Sequence, residues 1–247
     1  MALSQSQMDS YSEDGYLTVE NLIPPNRVDA MRRRIEALCE NWESEESRRV
    51  GIGQETDQGG ESNVRTSQTV RKFRGLTEHE EIFRAHALYP PLVDIVTDLI
   101  GNRLSLYADQ ALLKPPEWGS EKPFHQDNAY FQVVPDDKVI TCWCALDDAT
   151  PENGCLFYIP GSQRLGVVEH EKIADTPHLV PKEAEKERAV AVPVSAGTCI
   201  FHHSLILHMS PPNRTYTWRR AMVCHYVHSS AQTPRRKPTD PPMLKVR

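Results

Sequence analysis

The chain has 247 residues with 28 basic and 34 acidic side chains, so its formal net charge is −6 and a broad electrostatic attraction to nucleic acid is excluded. No apolar run approaches the roughly 20 residues that cross a bilayer, and the polar N-terminus lacks the apolar core of a signal peptide. Six cysteines without a CxxC pair argue against a zinc knuckle and predict reduced, mostly buried thiols. We therefore expect a cytoplasmic protein with no membrane or nucleic-acid partner.

Residues 1–103 are predicted to be a mainly helical support for the rest of the chain. Ser4 suits the N-cap of the first helix and Gly15 its left-handed end, and Gly101 follows the last helix. Apolar residues at three- and four-residue steps mark the second helix. A short strand is expected at residues 16–19. The four predicted helices cover residues 4–15, 26–42, 78–87 and 90–100.

Residues 43–70 are rich in Glu, Gln, Ser and Gly and poor in large apolar side chains. This composition predicts a long loop, and long loops in compact domains are either lids or disordered segments. Composition does not separate the two, and we favour a lid over the mouth of a site. The charged segment 163–188, with one short helix near 182–188, is expected to cover the same mouth.

Strand patterns dominate from Leu104 onward and predict a core over residues 104–228, followed by a tail at 229–247. The segment 151–154 is a strong turn signal, because Asn-Gly suits the tight turns of β-hairpins. About eight short strands behind a helical region predict a single domain that is mainly β, a sandwich or jelly roll. The predicted strands cover residues 104–113, 125–131, 139–146, 155–159, 189–194, 199–201, 204–208 and 220–227.

The stretch 123–131 carries a histidine and a carboxylate two residues apart, His125 and Asp127. In an extended segment residues i and i+2 point to the same side, so both side chains face one point and can bind one metal ion. Two histidines and one carboxylate on one face of a metal are the arrangement of non-haem Fe(II) oxygenases. Short His-x-Asp matches also arise by chance on solvated surfaces, so the prediction depends on a second histidine.

The late strands offer three candidates for that second histidine. His208 is favoured because it is predicted to end an apolar strand, and ligands meet at the mouth of a barrel. One of His202 and His203 is expected to be a buried, hydrogen-bonded side chain instead. Arg219 begins a strong strand soon afterwards. A buried arginine at that position needs an anionic partner, and a carboxylate suits its planar fork.

Four of these residues together resemble the phytanoyl-CoA dioxygenase family of Fe(II)/2-oxoglutarate-dependent oxygenases: His125, Asp127, His208 and Arg219. The resemblance extends to the turn and strand at 147–162 and to the motif Tyr-x-x-Asp-Gly-Tyr-Leu at 11–17, and it covers roughly residues 4–228. Relatives often carry histidine after the Pro-Gly-Ser of this turn, where this chain has Gln163. We expect this difference to affect loop packing or substrate choice rather than iron binding.

The resemblance implies a double-stranded β-helix core of the jelly-roll, cupin-like kind, with the metal near one open end. It implies a dioxygenase that uses Fe(II), 2-oxoglutarate and O2 to hydroxylate an unactivated C–H bond of a small organic metabolite, releasing succinate and carbon dioxide. The catalytic iron ligands would be His125, Asp127 and His208. Asp127 favours hydroxylation, since related halogenases lack this carboxylate. The implied cosubstrate contacts are Arg219, for the far carboxylate of 2-oxoglutarate, and Gln126, Gln110, Trp143 and Lys72.

Two other functions remain open. The first is a metalloenzyme that does not use 2-oxoglutarate, such as a cupin-like dioxygenase or a zinc hydrolase, since histidine and aspartate also suit zinc. Arg219 argues against it, because such enzymes need no carboxylate anchor there. The second is a non-catalytic metabolite sensor on the same fold. The intact set of candidate ligands argues against a sensor, because a site without catalysis is free to lose them.

Overall fold

A computed structural model of the chain describes residues 2–58, 65–117 and 119–247, so residues 59–64 of the predicted lid lie outside the described part. The helices of the described residues are α1 Gln5–Asp14, α2 Pro25–Glu40, α3 Glu45–Arg48, α4 Leu76–His79, α5 Glu81–Ala87, α6 Pro90–Ile100 and α7 Asp127–Phe131. The strands are β1 Tyr16–Val19, β2 Gly51–Gln54, β3 Val70–Arg74, β4 Leu104–Lys114, β5 Lys122–His125, β6 Val139–Ala145, β7 Leu156–Tyr158, β8 His170–Lys172, β9 Leu179–Pro181, β10 Val190–Val192, β11 Cys199–His203, β12 His208–Ser210, β13 Arg219–His228 and β14 Leu244–Lys245.

The strands form two main antiparallel sheets whose facing side chains share one core. The larger sheet has eight strands in the order β1-β11-β6-β13-β4-β3-β2, with β14 paired to β4. The smaller sheet has four strands in the order β10-β7-β12-β5, and β8 pairs separately with β9. Leu156 and Tyr158 of the smaller sheet belong to one buried cluster with Trp143 and Val223 of the larger. This architecture confirms the predicted double-stranded β-helix, or jelly roll.

β6 shows why the larger sheet has two different faces. Every residue of this strand is buried. Cys142 and Cys144 pack in the apolar cluster that includes α2 and α6, whereas Trp143 and Ala145 pack toward the smaller sheet. Side chains alternate along a strand, so an unbroken apolar run fits a strand that is covered on both sides. We call the two sides of the larger sheet its helix face and its cavity face.

The helices that cover the helix face begin and end close to the residues that the sequence predicts. Ser4 caps α1 by accepting a hydrogen bond from the backbone N–H of Gln7, and Gly15 ends the helix with φ 83°. No helix of the described residues has both the length and the apolar character needed to cross a membrane. α2 buries the apolar stripe that its periodicity predicts: Val28, Met31, Ile35 and Leu38.

The segment 43–70 is not the long loop that its composition predicts. It contains α3 and β2, and β2 pairs with β3 at the edge of the larger sheet. The buried Glu55 fixes the segment to the sheet, because its carboxylate lies 3.1 Å from the Arg71 guanidinium. Composition misses β2 because its glycines and glutamine carry no apolar alternation.

The C-terminal segment 229–247 is also more ordered than the predicted tail. β14 pairs with β4, and Val246 N–H donates a hydrogen bond to the Leu104 carbonyl. The Arg247 guanidinium lies 2.7 Å from the Asp94 carboxylate on α6. The pairing depends on contacts with distant parts of the chain, which local sequence does not reveal.

The connections around residues 151–188 differ from the prediction in two ways. The turn at 151–154 forms, but it joins β6 to β7, which lie in different sheets, so it does not close a hairpin. The charged segment contains the pair β8 and β9, and its predicted helix is reduced to one 3₁₀ turn at Lys186–Arg188. Gln163 has the expected role in loop packing, since its amide donates to the Ser12 and Glu13 carbonyls at the end of α1.

Candidate active site

His125 and Asp127 converge although the segment that carries them is not a continuous strand. β5 ends at His125, and α7 begins at Asp127, so the predicted strand over 125–131 is wrong beyond its first residue. Gln126 between them is still extended, with φ −106° and ψ 135°. The turn into the helix leaves the His125 Nε2 atom 3.6 Å from the Asp127 Oδ1 atom. The two side chains therefore face one point, as predicted, by a different backbone path.

His208 completes the group from the neighbouring strand. It begins β12, whereas the sequence predicted that it ends a strand over 204–208, and the apolar residues before it form a turn. In the β12–β5 ladder His208 is directly opposite His125, and their ring centroids are 4.2 Å apart. The candidate ligand atoms of His125, Asp127 and His208 all lie within 4.8 Å of one another, a spacing that suits one metal ion.

Backbone carbonyls orient both imidazole rings toward the shared point. The Nδ1 atom of His125 lies 2.8 Å from the Pro123 carbonyl, and that of His208 lies 3.0 Å from the Ile206 carbonyl. A carbonyl only accepts, so each Nδ1 carries the proton and each Nε2 presents a lone pair. Burial lowers the pKa of both imidazoles, which favours the neutral form that binds metal.

Asp127 uses its two oxygens differently. Oδ1 faces the two histidines, while Oδ2 accepts hydrogen bonds from Thr141 Oγ1 at 2.6 Å and from His202 Nε2 at 3.1 Å. Burial raises the pKa of this carboxyl, but its contacts with His125 and His202 outweigh burial and hold the pKa well below its usual range. The carboxylate is therefore charged and fixed in place before any metal binds.

A second set of side chains supports Asp127 and was not predicted from the sequence. Tyr158 OH donates to His202 Nδ1 at 2.8 Å, so the His202 Nε2 proton is available to Asp127. Thr141 Oγ1 also lies 2.9 Å from the Nδ1 atom of His225, its cross-strand neighbour. His202 is the buried histidine of the 202–203 pair, with 2% of its surface exposed, and it contacts the candidate ligand Asp127. The sequence did carry one signal of this set: the polar residues Thr141 and His225 at cavity-face positions of the apolar strands β6 and β13.

A cavity of about 320 Å³ lies between the sheets and includes the His–Asp–His group. Arg219 lines it with 3% of its surface exposed, and its guanidinium carbon lies 5.7 Å from the centroid of the Trp143 ring. The Nε and Nη1 atoms of Arg219 have no hydrogen-bond partner within the described residues. Burial lowers the pKa of this guanidinium to about 9. A buried cation with unused donors fits the carboxylate of a bound ligand.

Three of the other four predicted cosubstrate contacts also line the cavity: Gln110, Trp143 and Lys72. Gln110 Nε2 lies 3.1 Å from His225 Nε2, so Gln110 extends the hydrogen-bond chain from Asp127. Gln126 differs, because its amide nitrogen donates to the Gly166 and Leu205 carbonyls and its oxygen accepts from Val168 N–H. Because its side chain makes all these contacts, Gln126 holds the segment of His125 and Asp127 against two loops and does not line the cavity.

The jelly roll, the His–Asp–His group and the unpartnered arginine in the same cavity define a non-haem oxygenase of the double-stranded β-helix class. Residues 11–221 match the phytanoyl-CoA dioxygenase family, and the chain belongs to that family. It is accordingly an Fe(II)- and 2-oxoglutarate-dependent dioxygenase, and the residues in its cavity fit both cofactors.

Known proteins show how far the similarity extends. The chain is 29% identical to a probable phytanoyl-CoA dioxygenase of Caenorhabditis elegans, over 92% of this chain and 76% of that protein. It is 28% identical to the L-proline trans-4-hydroxylase of Streptomyces griseoviridis, over 100% of this chain and 95% of the other. The crystal structure of EctD from S. alaskensis with 2-oxoglutarate and 5-hydroxyectoine has a TM-score of 0.75 at 21% identity, and the match covers 99% of this chain and 84% of that one. The last similarity supports the fold.

Proposed function

We propose that this protein hydroxylates an unactivated C–H bond of a small organic metabolite, with release of succinate and carbon dioxide. In this proposal His125, Asp127 and His208 bind Fe(II), and Arg219 binds the far carboxylate of 2-oxoglutarate. The observation that carries the proposal is the coexistence of the three ligand atoms and the unpartnered Arg219 guanidinium in one cavity.

The protein's own groups each have a definite task. When bound, Fe(II) and 2-oxoglutarate would supply, with O2 as the oxidant, the chemistry that removes hydrogen from the substrate and returns a hydroxyl group. His125 and His208 present neutral nitrogens, and Asp127 presents a charged oxygen, all toward one side of the site. The other side stays open for ligands. Arg219 orients the cosubstrate, and Trp143 packs beside its guanidinium.

The cavity limits the size of the substrate. Its volume of about 320 Å³ is at the small end of ligand pockets, which span about 300–1,000 Å³. Both 2-oxoglutarate and the reacting part of the substrate must use this space. A small metabolite meets that condition, and the similarity to an L-proline hydroxylase over the whole chain agrees with a substrate of that size.

The first test is anaerobic titration of the Fe(II)-loaded protein with 2-oxoglutarate, followed by visible absorption. We expect the weak charge-transfer band of a chelated keto acid, and we expect Asp127→Ala to weaken or shift it. Iron that binds without producing the band would favour a metalloenzyme that does not use 2-oxoglutarate. A protein that binds no iron would favour the sensor.

His208→Ala tests the metal assignment directly. This substitution removes one of three ligands while leaving β12 paired on both sides, so we expect a folded protein that neither holds iron nor turns over 2-oxoglutarate. Iron content by mass spectrometry and folding by circular dichroism check both parts. Full iron occupancy with retained turnover would exclude His208 as a ligand.

A further inference from the structure

The cavity is strongly basic although the chain as a whole is acidic. Among the described residues, Asp127 is the only acidic side chain that lines the cavity, whereas the chain as a whole has a net charge of −6. Concentrated charge of one sign in a partly closed site raises the local concentration of ligands of the opposite sign. In addition to Arg219, the basic residues that line it are Arg71, Lys72, Arg74, Lys114 and Lys122.

Two of these cations already make polar contacts within the protein. Arg71 pairs with Glu55 at 3.1 Å, so its charge is balanced within the protein. Lys114 is directly opposite Arg219 in the β4–β13 ladder, and its ammonium donates hydrogen bonds to the Ser120 and Ser210 carbonyls. Because they lie side by side on the larger sheet, Lys114 and Arg219 add positive charge to the same end of the cavity.

Lys122 stands apart from this group. It lies on β5 of the smaller sheet, three residues before His125. Its Nζ atom donates to Tyr130 OH at 2.8 Å and to His178 Nδ1 at 3.2 Å. No carboxylate within residues 2–58, 65–117 and 119–247 forms an ion pair with it. An ammonium group has one more donor than these two neutral acceptors use, so both a charge and a donor remain for a ligand.

Tyr130 connects Lys122 to the metal site. The Lys122 ammonium lies 4.7 Å from the centroid of the Tyr130 ring, and that ring packs edge-on against His125 at 5.8 Å between centroids. Apolar side chains also line the cavity: Phe131, Pro177 and Met209. A ligand bound at Lys122 therefore has an apolar surface beside it and the metal-binding histidine one side chain away.

We infer that the substrate is a small organic acid whose carboxylate is bound by the Lys122 ammonium. The inference rests on the proposed function and narrows its substrate class. In that function the charges of Fe(II) and Arg219 are balanced by Asp127 and the two carboxylates of 2-oxoglutarate. Lys122 takes no part in this balance, and a third carboxylate, belonging to the substrate, would pair with its ammonium.

The two anions have separate places because the two cations lie on different sheets. Arg219 is on β13 of the larger sheet, above Trp143, whereas Lys122 is on β5 of the smaller sheet, beside Tyr130. Burial lowers the pKa of Lys122 to about 8, so the group is still mostly charged at neutral pH. An amphipathic acid, with its carboxylate at Lys122 and its carbon chain on the apolar wall, places C–H bonds near the metal.

The test compares acids with their neutral counterparts. Iron-loaded protein saturated with 2-oxoglutarate is given a panel of small aliphatic, aromatic and amino acids, each paired with its primary amide, including L-proline and L-prolinamide. Succinate release is measured for each probe. We expect stimulation by one or more acids and not by the matching amides. An amide that stimulates as well as its acid, or a panel in which no acid exceeds its amide, overturns the inference.

Substitution of Lys122 then assigns the effect to this residue. Loss of a charge-assisted hydrogen bond is expected to raise the KM for the stimulating acid about 10- to 100-fold in Lys122→Met, with a much smaller change in the KM for the cosubstrate. Lys122→Arg keeps the charge and should keep most of the affinity. An unchanged KM for the acid in Lys122→Met, or equal increases for the acid and the cosubstrate, overturns the assignment.

Tyr130→Phe separates ligand binding from a structural role. It removes the hydroxyl that Lys122 contacts but keeps the ammonium, so we expect a far smaller rise in KM than in Lys122→Met. Equal effects of the two variants would mean that Lys122 only positions Tyr130. The charge-transfer band distinguishes failure of the proposed function from failure of this inference alone. Without the band the proposed function and this inference both fall, whereas a normal band with no preference for acids rejects the inference alone.

Discussion

Arg219 and Arg220 are neighbours on β13, yet their side chains point to opposite faces of the larger sheet. On the cavity face, two nitrogens of Arg219 have no partner within the described residues. On the helix face, Arg220 makes a two-pronged contact with Asp147 at 2.7 and 2.9 Å and a further contact with Glu36. Burial lowers the pKa of Arg219 to about 9, while for Arg220 the hydrogen bonds that it donates to Asp147 outweigh burial and raise the pKa.

The comparison of Arg219 with Arg220 distinguishes two roles of a buried arginine, ligand binding and structural support. A buried cation that lacks a partner costs folding free energy, so a protein keeps one only where a ligand compensates for it. A buried cation with a matched carboxylate joins distant parts of the fold. Here Arg220 ties β13 to the residues after β6 and to α2. Burial alone would not have distinguished the two, since both arginines are largely inaccessible to solvent.

The largest expected effect comes from Arg219→Met. Loss of one partner of a buried, hydrogen-bonded charge pair costs about 2–5 kcal/mol, so we expect the KM for the cosubstrate 2-oxoglutarate to rise about 30-fold or more. Steady-state succinate release measures it. Arg220→Met is the matched control, being the same change one residue later on the opposite face, and should leave this KM nearly unchanged. An unaffected KM in Arg219→Met would place the cosubstrate elsewhere.

The reverse pattern is expected for stability. Arg220→Met leaves Asp147 without its main partner, and we expect the free energy of unfolding in urea to fall by about 2–3 kcal/mol, discounted because Glu36 is half exposed. Arg219→Met removes an unpaired charge and should unfold no earlier than the parent in the absence of 2-oxoglutarate. Equal destabilisation by both variants would contradict the distinction between a ligand-binding arginine and a structural one.

A smaller effect is expected from Thr141, a cavity-face residue that acts only through Asp127. Thr141→Val removes the hydroxyl at nearly constant volume, and loss of such a supporting hydrogen bond weakens metal binding about 10-fold or more. Thr141→Ser keeps the hydroxyl and should bind as the parent does. Calorimetric titration with Co(II) measures the affinity. Equal affinities of the valine and serine variants would show that Thr141 does not position Asp127.

The smallest effect concerns His86, a buried side chain of α5. Buried polar groups are normally hydrogen-bonded, and His86 is an exception. Neither ring nitrogen has a partner in the described part of the chain, and burial lowers its pKa from 6.5 to about 3. The unfolded chain therefore takes up a proton below pH 6.5 that the folded protein refuses, so stability is present above that pH and falls as the pH drops toward 3. From pH 6.5 to 5.5 we expect His86 alone to contribute a loss of about 1 kcal/mol in the free energy of unfolding.

His86→Leu tests this prediction. The variant lacks the titrating group, so its free energy of unfolding should change less between the same two pH values, measured by urea denaturation at each. Parallel pH dependences of the variant and the parent would show that His86 is protonated equally in the folded and unfolded states.

The sequence predicted those features that depend on local chemistry. The cap at Ser4, the left-handed end at Gly15 and the end of α6 at Gly101 all form as expected, because each is specified by the residues at that position. The jelly roll was also predicted, from the density of short strands and from a resemblance that rested on four residues at their spacing. The residues of the His–Asp–His group lie together as expected.

Features that depend on tertiary contacts were missed. Asp127 begins a helix because the chain must turn over the cavity, and His208 begins its strand because β12 has partners on both sides. The contacts of Asp127 with His202 and Thr141 join three separate segments, so no local pattern contains them. The charge that remains at Lys122 is visible only when the positions of all nearby carboxylates are known.

The placement of the two histidines that we propose as iron ligands has a consequence for folding. His125 ends β5, and His208 is opposite it on β12, so an ion bound between them is a cross-link within the smaller sheet. Ligands that bind only the folded state stabilise it in proportion to the logarithm of their concentration. With iron bound as proposed, its supply would determine how often β5 and β12 separate, and iron starvation would expose this edge of the molecule to proteases before it affected the larger sheet.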